Sequence, residues 1–218
     1  MHIPDGFLNA PTWIPAWIIS AGGIGYSLKK AAQVVRDRII PLMGIMAAFI
    51  FAGQMLNFPV MGGTSGHLLG GVLAAVLLGP YAGAVVISVV LLVQCLVFQD
   101  GGLTALGANI LNMALIGTIA SYFLYALLRK ILGRRGFLAA VALASWLSVM
   151  LASTACAIEL AISGTSPLGV ALPAMAGVHA LIGIGEAVIT TLIVSFVWKT
   201  RPDLIHASIP KPAEVSHG

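Results

Sequence analysis

The first two residues, Met1-His2, form a metal chelate in themselves when the chain starts with a free amine. The α-amine of Met1, the amide nitrogen of His2 and the imidazole Nδ1 of His2 close two fused rings on one cation. Three nitrogens then share a plane, and a fourth donor completes a square. His67, preceded by Gly66, is the candidate for that corner. Nitrogen donors suit nickel, cobalt, copper and zinc, whereas magnesium and calcium take oxygen. A deprotonated amide favours square-planar geometry, which fits Ni²⁺ or Cu²⁺ well, Co²⁺ less naturally and tetrahedral Zn²⁺ poorly. It also lowers the charge of the bound unit to about +1, which eases burial near the positive end of a helix expected to start at His67.

Each histidine also has an ordinary reading. His2 alone is a common terminal residue, and His67 alone would mark a helix start capped through Thr64 and Ser65. Taken together on one face, they favour metal. Aminopeptidases trim methionine only before small residues, so Met1 is expected to stay ahead of the bulky His2. Pro4 and Gly6 turn the chain back, and Phe7 and Leu8 would plug the site. Asp5 either fixes an imidazole N–H or caps a turn. Gln94, Asp100 and Asn109, with Thr64 and Ser65, are the expected polar surround.

The elements that hold these groups are membrane helices. Of 218 residues, 59% are hydrophobic and 8% charged, with a mean hydropathy of +1.03. Soluble domains carry about a quarter charged residues. No stretch is polar or long enough for an ATP-binding domain. The start lacks the basic region of a secretory signal. Cys95 and Cys156 lie in apolar runs and read as small hydrophobes rather than a disulfide or soft-metal site. The net charge of +4 reads as membrane orientation, not nucleic-acid binding.

Apolar runs predict an all-α polytopic protein of seven transmembrane helices, near 9–28, 39–57, 67–79, 81–98, 104–128, 137–163 and 171–198. Residues 1–198 form the metal-binding domain, and 199–218 a flexible cytoplasmic tail rich in proline. Lys29, Lys30, Arg36 and Arg38 follow the first helix, and Arg129, Lys130, Arg134 and Arg135 follow the fifth. Both clusters face the cytoplasm only if an even number of spans separates them. Counting 67–79 satisfies this and brings Lys199, Arg201 and Lys211 inside. The N-terminus and the 58–66 loop then lie outside. The short third helix leaves His67 recessed and shielded by protein.

Glu159, His179 and Glu186 sit inside apolar helices, where ionisable groups are costly. They read equally as ligand orientation or coupling, and as hydrogen-bonding glue between helices. Gly44, Ala48 and Ala52 recur every four residues on the second helix, for internal packing or for docking another membrane subunit.

The opening Met1-His2-Ile3-Pro4-Asp5-Gly6-Phe7-Leu8 resembles the start of the substrate-binding M subunits of energy-coupling-factor cobalt and nickel importers, the CbiM/NikM family. So do Asn57-Phe58-Pro59, Gly62-Gly63-Thr64-Ser65-Gly66-His67 and Gln99-Asp100-Gly101-Gly102-Leu103-Thr104-Ala105-Leu106-Gly107-Ala108-Asn109, across residues 1–198. The resemblance implies a seven-helix S component with its N-terminus inserted into the bundle. It implies square-planar coordination of Ni²⁺ or Co²⁺ by the Met1 amine, the His2 amide and imidazole, and His67. It implies a transmembrane coupling (T) subunit, a cytoplasmic ATPase pair and a small auxiliary (N) subunit as partners. It also raises the docking reading of Gly44, Ala48 and Ala52. Some relatives carry the auxiliary part fused at the C-terminus, and some start with a cleaved leader; this chain is expected to have neither.

The favoured function is therefore metal capture within an ATP-driven importer in a bacterial or archaeal plasma membrane. No enzymatic centre or catalytic cofactor is expected. The alternative is a self-sufficient proton- or ion-coupled transporter using Glu159, His179 and Glu186 as a relay, which the lack of an internal repeat disfavours. An intramembrane metalloenzyme is disfavoured because no His-Glu-x-x-His segment occurs and four in-plane nitrogens leave substrate no open position.

Overall fold

The computed structural model describes residues 1–34 and 39–206. Among these residues seven helical rods follow the apolar runs. They are α1 (Ala10–Val34), α2 (Ile40–Met55), α3 (Gly71–Leu78), α4 (Pro80–Phe98), α5 (Leu106–Leu132), α6 (Phe137–Ile162) and α7 (Leu168–Thr200). α4 to α7 are long and apolar enough to cross a bilayer. α2 is apolar but has 16 residues. The 8 residues of α3, all buried, rise only about 12 Å.

Several helix ends differ from expectation. α1 continues through Lys29 and Lys30, because long aliphatic stems let a lysine stay helical while its ammonium reaches polar surroundings. Arg129 and Lys130 likewise belong to the last turn of α5. Helix α3 starts at Gly71, four residues after His67, so His67 neither begins nor caps it. α7 starts at Leu168 and runs past Lys199 to Thr200. Residues 201–206 are packed rather than loose: Ile205 is buried, and the His206 N–H donates to the carbonyl of Val76 at 2.9 Å. That bond satisfies a carbonyl near the end of α3 that the helix leaves free. Arg36, Arg38 and the rest of the expected tail, with Pro210, Lys211 and Pro212, lie outside the described residues.

α4 sits at the centre, against α1, α2, α3 and α5, while α6 and α7 pair along their length. The α3–α4 break falls at Gly79-Pro80, where Gly79 has φ 87° and Pro80 opens the next helix. One departure from an all-helical chain matters for the site. Phe58–Pro59 (β1) and Ser65–Gly66 (β2) pair antiparallel, Phe58 opposite Gly66 and Pro59 opposite Ser65. Gly62, at φ 79°, closes the intervening turn, and Gly63 donates back to the Val60 carbonyl. This ribbon holds residues 64–67 against the bundle. The last turn of α4 (Gln94–Phe98) and the Leu111–Ala120 stretch of α5 wind wider than an α-helix. The Thr118 hydroxyl accordingly bonds the carbonyl of Met113, five residues back. Gln94 and Asn112, at the starts of these wide turns, are buried.

Candidate metal centre

The chain enters the bundle by its first three residues. Met1, His2 and Ile3 are 0%, 4% and 0% exposed, although a terminus normally frays into water. Asn109 prevents fraying: its Oδ1 accepts the Ile3 N–H at 2.9 Å and its Nδ2 donates to the Ile3 carbonyl at 3.2 Å. Gly102 donates to the same carbonyl at 2.8 Å. A Cβ on Gly102 would strike the Pro4 carbonyl carbon and the Asp5 nitrogen, so glycine is required for this approach. Asp5 then caps the turn before α5, accepting the N–H groups of Leu103 and Thr104 and the Thr104 hydroxyl. That hydroxyl, with the backbone donors, holds the Asp5 carboxyl below its ordinary value. Of the two roles open to Asp5, the structure has the cap. Gly6, at φ 84°, turns the chain outward, and the Phe7 carbonyl accepts the Thr165 hydroxyl.

At the tip, the Met1 amine donates to the Ser65 carbonyl and, at 2.9 Å, to Ser65 Oγ; the His2 N–H donates to the same hydroxyl at 3.1 Å. The His2 and His67 rings stack with centroids 4.4 Å apart and planes 23° from parallel. His2 Nε2 lies 3.1 Å from Gln94 Oε1, so Nε2 carries the hydrogen and Nδ1 keeps its lone pair. The Asp100 carboxylate is 3.4 Å from that Nδ1, too far for a charge-assisted hydrogen bond, and is itself held by Asn57 at 2.9 Å. His67 Nδ1 donates to the Leu68 carbonyl at 2.7 Å, leaving Nε2 buried and without a partner. The tautomers inferred from these bonds thus leave a free lone pair on His2 Nδ1, the atom the chelate needs, and on His67 Nε2.

Burial sets the charge state. It lowers the Met1 amine from 8.0 to about 5 and the His2 imidazole from 6.5 to about 3, the amine's own charge adding to the second shift. His67 is pushed well below its ordinary range for the same reason, and burial raises Asp100. At neutral pH all three donor groups are neutral, and only the His2 amide must shed a proton to a metal. Among the described residues no three His, Cys, Asp or Glu side chains converge as a metal site.

A pH dependence of the metal-free protein follows. A base whose folded pKa is depressed binds fewer protons folded than free, so stability rises with pH between the two values. Docking of residues 1–8 is therefore expected to weaken as pH falls from about 8 towards 5. Hydrogen exchange of the Ile3 amide measures this, and uniform protection across that window would refute it.

The remaining sequence candidates are dispersed. Thr64 contacts Cys156, 3.6 Å from its hydroxyl, and its carbonyl accepts the Val60 N–H, so it serves the ribbon rather than a histidine. Glu159 accepts from Asn112 at 2.6 Å. Glu186 accepts the N–H groups of Leu69 and Gly70 at 2.8 and 2.7 Å, capping the start of α3 from 116 residues away. Both carboxylates thus accept hydrogen bonds from neighbouring elements of the bundle. Gln54, which sequence reasoning missed, donates to the Leu69 carbonyl at 2.8 Å. Its one available signal was a lone amide in an apolar helix. Leu69, two residues past His67, is thus clamped from α2 and α7 together. Gly44, Ala48 and Ala52 lie on the exposed side of α2.

Residues 2–204 match the family model described as the cobalt uptake substrate-specific transmembrane region. The chain is 45% identical over 207 residues to a putative fused nickel transport protein NikMN of Archaeoglobus fulgidus, covering 94% of this chain and 68% of that one. It is 31% identical to a putative cobalt transport protein, CbiM 1, of Methanosarcina barkeri, covering 94% and 92%. A crystal structure of a truncated transition metal transporter superposes with a TM-score of 0.86 at 34% identity, covering 91% of this chain and 99% of that one.

Proposed function

The chain belongs to the CbiM family of cobalt-uptake transmembrane regions, and on that premise we propose that it captures Ni²⁺ or Co²⁺ in a square of four nitrogens. It is a multi-pass membrane component of cobalt or nickel transport. The four donors are the Met1 amine, the His2 amide and Nδ1, and His67 Nε2. The observation that carries this reading is the pair of unprotonated, buried ring nitrogens at the inserted terminus, His2 Nδ1 and His67 Nε2, both without a hydrogen-bond partner. Ser65 holds the amine and amide in the metal-free state, and binding exchanges its hydroxyl and carbonyl for the ion. Gln94 fixes the His2 tautomer, and Asp100 offsets the charge of the bound unit.

All seven helices take part in the membrane embedding in this reading, with the metal tip on the outer face. Lys29, Lys30, Arg129, Lys130, Arg134, Arg135 and Lys199 lie at the opposite, cytoplasmic end. Uptake is driven from outside this chain by a cytoplasmic ATPase pair acting through a transmembrane coupling subunit. The exposed Gly44, Ala48 and Ala52 face suits that docking, because small side chains allow close helix approach. The fused NikMN relatives support a small N subunit as a further partner.

The test is a metal titration of purified protein followed by d–d absorption, with nickel and cobalt in competition. Ni²⁺ should give the spectrum of a low-spin planar ion. His67→Ala should cost about a hundredfold in affinity, ~3 kcal/mol. An octahedral spectrum, or affinity unmoved by His67→Ala, would overturn the site.

A further inference from the structure

His179 belongs to no part of the proposed square, yet its surroundings are those of a ligand. It is 0% exposed in the middle of α7, and its Nδ1 donates to the Met175 carbonyl at 2.7 Å, one turn back on its own helix. That bond assigns the hydrogen to Nδ1 and leaves Nε2 with a lone pair and no partner. Buried polar atoms without partners are scarce in folded proteins, and among hydrocarbon side chains they are costly.

The direction of that face is defined by the ribbon. A Cβ on Gly63 would strike the Met175 thioether, and one on Gly66 would strike Ile182 and Val178. Residues 175, 178 and 182 therefore form the stripe of α7 that the His67-bearing ribbon rests on. Position 179, four past 175 and three before 182, falls inside it.

We propose that His179 Nε2 is a transient metal ligand, taking the ion from the square and passing it into the bundle, with the Met175 thioether one turn away as a second soft donor. This inference deepens the capture reading and rests on it. A planar complex exchanges most easily by accepting a fifth ligand from above or below its plane. The Nε2 lone pair forms that bond, and the metal's bonds to the Met1 amine, the His2 amide and ring nitrogens, and His67 then break in turn. The amine returns to its hydrogen bonds with Ser65, and the His2 amide takes back a proton from water. The metal keeps its oxidation state, and the bound unit regains the positive charge that the amide anion had offset, with hydroxide left by the water that supplied the proton. Imidazole with thioether is a weaker set than amine with deprotonated amide, as a station on the way out requires.

A ligand used only in passing speeds loading and unloading together, whereas a packing residue alters stability and affinity. Nickel-loaded protein in detergent is mixed with excess chelator and the decay of the planar band followed; the reverse experiment gives the loading rate. In His179→Gln both rates should fall by roughly tenfold or more, with their ratio moving much less, and free imidazole should restore them. Unchanged rates, or a loss confined to the release rate with affinity shifting in proportion, would overturn the proposal. A second arm avoids dependence on one variant folding. His67→Ala should retain a weak Ni²⁺ position that His67→Ala with Met175→Leu weakens further; identical weak binding in both counts against it. A planar spectrum with unaltered exchange sinks this inference alone, whereas absence of the planar spectrum in wild type sinks the capture reading.

Discussion

A single alanine added ahead of Met1 is expected to weaken Ni²⁺ binding at least about a thousandfold, ~4 kcal/mol. The extension turns the Met1 amine into an amide and removes one corner of the square. The new residue also has nowhere to go: Met1 is 0% exposed, and its nitrogen faces Ser65 inside the bundle. The chelating rings and the buried docking are lost together, so the effect should exceed that of any single side-chain change. Calorimetry on extended and unextended proteins, with N-terminal sequencing of both, measures it. Equal affinities with verified termini would remove the amine from the site.

The second large effect is expected at Glu186, which touches none of the proposed metal ligands. Glu186→Ala leaves the Leu69 and Gly70 N–H groups without acceptors in an interior that offers no water. An unsatisfied buried donor costs about 1–3 kcal/mol, so the pair amounts to about 2–6 kcal/mol. The melting temperature in detergent should fall by on the order of 10 °C, and metal affinity with it, because the clamped turn carries His67. Glu186→Gln keeps one acceptor oxygen and should recover part of the loss. A Glu186→Ala protein as stable as wild type would show that the cap contributes little.

The proposed capture groups can be named from the sequence because a chelate at a terminus is a local object. Met1 and His2 are neighbours, and their chemistry does not depend on the fold. Gln94 and Asn109 could be singled out as polar residues among apolar ones, but not their tasks. That Asn109 brackets Ile3 on both sides depends on 106 residues of intervening chain. Glu186 gave no local sign that it caps α3, since helix caps ordinarily come from the residues just before the helix. For the same reason the helix start was expected at His67 rather than Gly71. The expected helix ends near 28 and 198 fall short of the observed ones, at Val34 and Thr200. Six of the helical rods follow from the apolar runs and the short third from the placement of the basic clusters, whereas the 58–66 ribbon was not readable, its strands being two residues each.

Besides the bonds of Met1 and His2 to Ser65 and Gln94, the inserted segment is held at Ile3, Asp5 and Phe7, downstream of the atoms proposed to meet the ion. Tether and claw are thus separate pieces of one short peptide. Opening the claw requires only the two leading residues to swing, while the knot at Asn109, Gly102 and Thr104 stays tied. An importer built this way can reset between cargoes without rethreading its own beginning.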